Sequence, residues 1–176
     1  MSGVAIRALT PAEVEAGAEG LADVLLDCIA GGASISFMAD YSRDQALAFW
    51  RGVAASAARD GRVVLVAEDD QGPVGTVQLV PVMIDNQPHR AEVSKMLVHR
   101  RGRNQGLGER LMAAVEAEAA RLGRTLLVLD TVTDSPGDRL YRRRGWIPVG
   151  TIPDFALYPD GRPCDATIFY KVVGKG

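Results

Sequence analysis

The chain has 176 residues, a net charge of −2, close to half apolar residues and about a quarter charged ones. That length and balance suit one compact domain with its own core and exclude a nucleic-acid footprint spread over the whole molecule. No apolar run approaches the roughly 20 residues of a bilayer span, and the first seven residues lack a basic region followed by a long apolar one.

The expectation is therefore a cytoplasmic protein with no membrane partner. Cys28 and Cys164 lie outside any CxxC or Cys/His cluster, and His89 and His99 stand alone. No disulfide framework and no metal site follow from such spacing. Both cysteines read as small buried apolar residues.

Residues 4–9 alternate weakly and predict a first strand. Thr10-Pro11-Ala12-Glu13 is a helix entry, with Thr as cap, Pro at the first helical position and Glu at the third. One helix is predicted from there to Gly31-Gly32, its inner face carrying Val14, Leu21, Val24, Leu25, Cys28 and Ile29. Residues 33–41 read as a loop. A second helix starts at Ser42 or Arg43 and closes at Asp60-Gly61, with Ala46, Leu47, Phe49, Trp50, Val53 and Ala57 inward.

Residues 62–68, 73–83 and 89–98 are β-rich and separated by turns, which predicts an antiparallel meander. A helix over 106–122 follows, with Leu107, Leu111, Val115 and Leu122 inward beside Met112, and Gly123 at its end. Residues 125–130 form a nearly continuous apolar strand, as a buried one would. The strand–helix–strand order predicts parallel pairing of 89–98 with 125–130. Ser135-Pro136-Gly137-Asp138 opens a short helix that stops at Gly145. Residues 146–149 are a strand, 153–163 a loop and 166–173 a last strand. The fold class is α/β (α+β): a single domain over residues 1–176, with a mixed, mostly antiparallel twisted sheet of about seven strands and about four helices.

The chemistry concentrates at Arg100-Arg101-Gly102-Arg103-Asn104-Gln105-Gly106-Leu107-Gly108, between a strand and a long helix. Residues 99–110 carry a local +3, so the rest of the chain carries −5. Glycines let the backbone lie close to a ligand, and the helix start offers unpaired N–H groups and a positive dipole end. That combination suits a phosphorylated ligand. A nucleoside triphosphate loop would need GxxxxGK[ST], and the Lys and the Ser/Thr are missing. A dinucleotide fingerprint would need a third glycine where Leu111 stands. A pyrophosphate held by backbone N–H groups and arginines, without metal, is left.

Arg103-Asn104-Gln105-Gly106-Leu107-Gly108 resembles the (Arg/Gln)-x-x-Gly-x-(Gly/Ala) signature of the GNAT superfamily of acetyl-CoA-dependent acetyltransferases. Tyr141-Arg142-Arg143-Arg144-Gly145-Trp146 resembles that family's C-terminal segment of aromatic, three residues, Gly and aromatic, and the order of elements agrees over essentially the whole chain. His89–Met96, Leu129-Asp130-Thr131 and Pro159-Asp160-Gly161-Arg162 are similar to the tabtoxin-resistance group, which acetylates a small β-lactam toxin.

The resemblance implies transfer of acetyl from acetyl-CoA to an amine or hydroxyl of a small-molecule acceptor, with acetyl-CoA as co-substrate and no metal. It implies that the backbone of Met96, Leu97 and Val98 pairs with the pantetheine arm, and that Arg103, Asn104, Gln105, Gly106, Leu107 and Gly108 wrap the pyrophosphate. Tyr141 falls at the position of a general acid. Asp130 is the favoured base, with Glu92 as the other candidate. The acceptor pocket is expected from the two N-terminal helices and the loops 33–41 and 154–162, with Ser34, Ser36, Phe37, Tyr41, Phe155 and Tyr158 as candidates. Arg142, Arg143 and Arg144 could reach a cofactor phosphate or lie on the surface. Protein or peptide acetylation, and a non-catalytic acyl-CoA-binding module, are the alternatives. A homodimer through the C-terminal strands is a further expectation.

Overall fold

The computed structural model describes residues 3–174. Seven strands form one sheet in the order β1-β2-β3-β4-β5-β7-β6. They are β1 (Ala5–Leu9), β2 (Val63–Asp69), β3 (Gly72–Pro81), β4 (Arg90–Val98), β5 (Leu126–Val132), β6 (Ile147–Leu157) and β7 (Pro163–Val172). Every neighbouring pair is antiparallel except β4–β5, which is parallel as the strand–helix–strand order predicts.

Helices α1 (Pro11–Ala16), α2 (Ala18–Ala30) and α3 (Arg43–Asp60) cover one face. Trp50, Val14, Leu21, Val24 and Leu25 bury there against Val64, Val66 and Leu97. Helices α4 (Leu107–Arg121) and α5 (Pro136–Arg143) cover the other, where Leu111, Met112, Val115 and Leu140 meet Leu79, Leu127 and Phe169. Apolar positions repeat at helical spacing in the helices, so each closes one side of the sheet.

The helix starts follow the sequence. Thr10 Oγ1 accepts from the Glu13 N–H at 3.2 Å, and Glu13 Oε2 accepts from the Thr10 N–H at 2.8 Å. Ser42 and Gln45 form the same reciprocal box. Such boxes satisfy end N–H groups that no helical carbonyl reaches.

Four expectations need correction. The first helix is two helices, because Gly17 closes α1 and opens α2 with φ −89° and ψ 6°; the described residues therefore hold five α-helices rather than four. Leu122 is 39% exposed, and Ala119 takes the inward place instead. β6 does not stop at Val149 but runs to Leu157, absorbing Pro148 and Pro153 through irregularities at 148–150 and 152–156. It is an edge strand, where a proline's missing N–H costs no ladder bond. β7 likewise starts at Pro163 rather than Ala166, which shortens the predicted loop to the 158–162 turn.

One irregularity organises the site. Parallel pairing of β4 and β5 covers only Arg90–Glu92 against Leu126–Val128. Beyond it β4 takes an extra residue against β3 between Thr76 and Gln78, and Lys95 adopts φ 51°. The bulge bends β4 away, and the two strands part into a V.

Candidate active site

The V opens into a cleft of about 690 Å³, a volume in the range of small-ligand sites. Met96, Leu97 and Val98 line it from β4, and Thr131 to Gly137 from the end of β5 and the start of α5. With no β5 neighbour paired at this level, one edge of β4 is available for an extended ligand.

The start of α4 closes one end. A 3-10 turn, Arg100–Gly102, leads to Gly106, which caps α4 at φ 71°, a left-handed conformation that glycine adopts without strain. No side chain caps this helix, and the first helical bond runs from the Arg110 N–H to the Gly106 carbonyl at 3.1 Å. The N–H groups of Leu107, Gly108 and Glu109 therefore face the cleft side without helical partners. At Gly108 a Cβ would come within 3.1 Å of the Leu140 side chain, which would have to shift by a few tenths of an ångström to admit one where α4 approaches α5.

Charges around the loop are less free than the sequence suggests. Arg100 pairs with Asp27 through side chain and backbone N–H. Arg101 pairs with Asp69 and donates to the Gly72 and Pro73 carbonyls, pinning the loop to the β2–β3 turn. Arg103 Nε donates to the Val98 carbonyl at 3.1 Å, beside Asp27. Gln105 turns back, donating to the Arg101 carbonyl at 2.9 Å, and is the member of the predicted set that does not line the cleft. Arg103, Asn104, Gly106, Leu107 and Gly108 do line it.

The three consecutive arginines divide, with Arg143 and Arg144 both reaching Glu109, at 3.3 and 3.4 Å, and Arg142 turned elsewhere. Arg142 pairs with the buried Asp138, and Arg144 with Glu116 and Glu109. Arg143 lines the cleft.

Tyr141 sits on α5 with 6% of its surface exposed, packed on Trp146 and Phe169 with ring centroids 6.0 Å away in each case. It lines the same cleft as Met96–Val98 and the α4 start. Burial, and secondarily the charge of Asp130, push its phenol well above the ordinary range, so it keeps its proton at neutral pH. Asp130 ends the apolar run of β5 with its side chain on the opposite sheet face from the buried Leu127 and Leu129. Desolvation pushes its carboxyl above the usual range, against the pull of Lys95. Glu92 lies on that face too, but it is solvent-exposed and paired with Arg90 at 3.3 Å.

The acceptor side has a roof. Ser34 Oγ donates to the Leu157 carbonyl at 2.7 Å, and the Ala39 N–H to the Pro159 carbonyl at 3.1 Å. Cys164 Sγ lies 3.5 Å from Ser34 Oγ. The 33–41 loop is thereby tied to the turn between β6 and β7, with Tyr158 against the cleft. Among the other candidates, Ser36 and Phe37 face Lys95, Tyr41 braces Phe37 and donates to the Gln45 carbonyl, and Phe155 is exposed on β6.

Lys95 is the residue that sequence reasoning missed as a site group. Its Nζ donates to Ser36 Oγ at 3.0 Å and stands 5.5 Å from the centre of the Phe37 ring. A lysine in a β-run reads as a solvated edge residue, and only the bulge turns it inward.

A family profile described as acetyltransferase (GNAT) domain matches residues 60–148. The chain belongs to the GNAT acetyltransferase family. The matched part of this GNAT chain holds the α4 loop, Asp130 and Tyr141, and leaves out the 33–41 loop and the β6–β7 turn that build the roof.

Solved GNAT structures share the fold throughout. A Salmonella typhimurium protein described as an acetyltransferase, solved with acetyl-CoA, is 21% identical over 97% of this chain and 94% of its own, with a TM-score of 0.79. The ribosomal-protein-alanine N-acetyltransferase of Brucella melitensis is 24% identical over 96% and 99%, with a TM-score of 0.75. A phosphinothricin acetyltransferase of Sinorhizobium meliloti, solved with acetyl-CoA, is 18% identical over 100% and 91%, with a TM-score of 0.77. One of these is named for a protein acceptor and another for a small one, so the shared fold does not choose between them.

Proposed function

We propose that this GNAT enzyme uses acetyl-CoA to acetylate an amine on a small-molecule acceptor, by direct transfer. The observation that carries the small-acceptor reading is the roof: Ser34–Leu157 and Ala39–Pro159 bonds close the acceptor end, where a peptide chain would need an open groove.

The residues present suit the donor. The uncapped N–H groups at the start of α4 and the side chain of Arg103 bind a pyrophosphate without metal. The edge of β4 that β5 leaves unpaired at Met96–Val98 offers backbone groups to the amide-bearing arm, as an added strand would use them, with the Val98 carbonyl already accepting from Arg103 Nε. No group of three or more potential metal ligands occurs among the described residues.

Asp130 takes the proton from the acceptor ammonium or from the attacking amine. Its raised carboxyl pKa brings its basicity closer to that task than an ordinary aspartate's. The amine nitrogen then bonds to the acetyl carbonyl carbon, and the carbon–sulfur bond breaks. Tyr141, protonated and water-poor, gives its proton to the leaving sulfur. Backbone N–H groups at the splay are suited to the developing oxyanion, an interaction of the kind that often dominates such reactions. Glu92, exposed and paired with Arg90, serves as a peripheral charge rather than the base.

A homodimer through β6 belongs to the same reading. Ile147, Val149, Ile152, Phe155 and Leu157 leave an exposed apolar edge strand there. A cytoplasmic setting suits the two buried free thiols. No helix among the described residues is long and apolar enough to cross a membrane.

Free-thiol release from acetyl-CoA, followed across amines, amino acids and short peptides, tests the proposal. Turnover with small amines and not with peptides is expected. Turnover confined to peptides, or acetyl-CoA binding without any release, would overturn it.

A further inference from the structure

The sheet face that carries Asp130 also carries a polar row of which the transfer chemistry uses only that aspartate. Gln78 on β3 pairs in register with Ser94 on β4, and Asp130 follows two residues beyond the last parallel pair, Glu92–Val128, on the same sheet face. Arg62, just before β2, donates from Nη1 to Gln78 Oε1 at 2.9 Å. Lys95 joins this row from the bulge.

Neither Lys95 nor Arg62 has a carboxylate within 4 Å among the described residues, although nearly every other internal arginine of the fold does or is held by carbonyls. Each feels the low-dielectric surroundings. Burial lowers the Lys95 ammonium, with Asp130 acting against this and Arg62 adding to it, and burial also lowers Arg62. Two donors beside this pair, Arg62 Nε and Gln78 Nε2, are buried with no partner, and Gln78 is fully buried. Unpaired buried donors are costly and call for an acceptor.

Backbone strain marks the same spot. Ser36 and Lys95 hold φ 82° and 51°, a region that residues with side chains seldom adopt, and the two are bonded to one another. That bond fixes the ammonium under the roof, over the Phe37 ring. The positive pole (Lys95, with Arg62 nearby) and the negative pole (Asp130, with Glu92 nearby) thus lie close enough on this sheet face to feel one another's charge, beside the cleft rather than in its lining.

We infer that Lys95 determines acceptor specificity: the enzyme selects acceptors that carry an acidic group beside the reacting amine, with the acid held at the Lys95 ammonium and the amine directed to Asp130. Arg62, held by Gln78, acts from behind Lys95 by strengthening the positive field. The inference rests on the acetyl-transfer reading above. It adds which amines are chosen.

The test uses the full-length protein, free-thiol release and matched probes: amino acids with α- and ω-amines, their carboxamides, and the corresponding amines without the acid. The wild type is expected to favour the acids over the carboxamides by about ten- to a hundredfold in kcat/KM, the scale of one charge-assisted bond. Lys95→Met should abolish that preference through KM for the acids, with acetyl-CoA affinity by calorimetry retained. Lys95→Arg should keep it in part. Ser36→Gly removes the strut, relieves the strained φ and leaves the charge, so a preference that survives in Ser36→Gly but not in Lys95→Met supports a charge role over a merely structural one.

Equal use of acids and carboxamides by the wild type, or an unchanged preference in Lys95→Met, overturns the inference while leaving acetyl transfer standing. Absence of thiol release with every amine, with acetyl-CoA bound, overturns the acetyl-transfer reading and this inference with it.

Discussion

Replacing Tyr141 by Phe separates its chemical role from its packing role. The ring is 6% exposed and packs on Trp146 and Phe169, contacts that a phenylalanine ring keeps. Among the described residues no side chain or backbone group bonds the hydroxyl, so its removal strands no buried partner. The stability change should stay under about 1 kcal/mol, or about 2–4 °C in Tm for a chain of this size. If the phenol donates the proton to the leaving sulfur, the rate should fall by about 10²–10⁴, equivalent to about 3–5 kcal/mol of barrier. The two magnitudes are far enough apart to be read independently. Thiol release at saturating acetyl-CoA gives kcat, calorimetry gives acetyl-CoA affinity, and a thermal melt gives Tm. A kcat within twofold of wild type would refute the general-acid assignment. A large loss of both kcat and Tm would instead place Tyr141 among the packing residues.

Other outcomes follow from the same geometry. Asn and Asp both tolerate the positive φ of Gly106 and both can cap α4, so Gly106→Asn and Gly106→Asp should be folded alike; calorimetry should show acetyl-CoA at least about tenfold weaker for Asp, whose charge opposes the phosphate, and equal affinities would remove this loop from the site. Asp130 must be deprotonated to act, so activity should rise with pH through its raised pKa, and Asp130→Asn should lose both rate and that limb; a near wild-type rate with an unchanged limb excludes it as the base. Because Lys95 pulls that carboxyl downward and Glu92 pushes it upward, Lys95→Met should move the residual acid limb to higher pH. Glu116 bonds Arg144 at 2.7 Å, Lys171 at 3.0 Å and Trp146 Nε1 at 2.9 Å. Burial works to raise its carboxyl, but these bonds win and hold it low. Its contribution is therefore present above the unfolded value near about 4.3 and lost as pH falls through the lower folded value. Glu116→Gln should cost about 1–3 kcal/mol in urea unfolding at pH 7 and progressively less in acid; a pH-independent difference would count against the ion cluster.

Local signals carried most of the fold and the donor half of the site. Thr10 with Glu13 and Ser42 with Gln45 fix their helix starts by bonds between residues three apart, so they can be seen without any tertiary contact. The same holds for the loop Arg103–Gly108, whose proposed role rests on backbone N–H groups at the start of its own helix. Where strings of residues misled, the missing information lay across the sheet. Pro153 looks like a loop residue until β6 is known to be an edge. Gln105 belongs to the motif but faces away.

The acceptor half was decided only in three dimensions. Ser34 and Leu157, 123 residues apart, make the roof, and nothing in either local stretch announces the other. Lys95 and Ser36 meet across 59 residues because a one-residue bulge in β4 reverses where that lysine points. Backbone chemistry at a helix terminus is local and so is written in consecutive residues. A closed pocket with two charged poles beside it depends on register, on strand bending and on which loops touch, and those are properties of the packed chain.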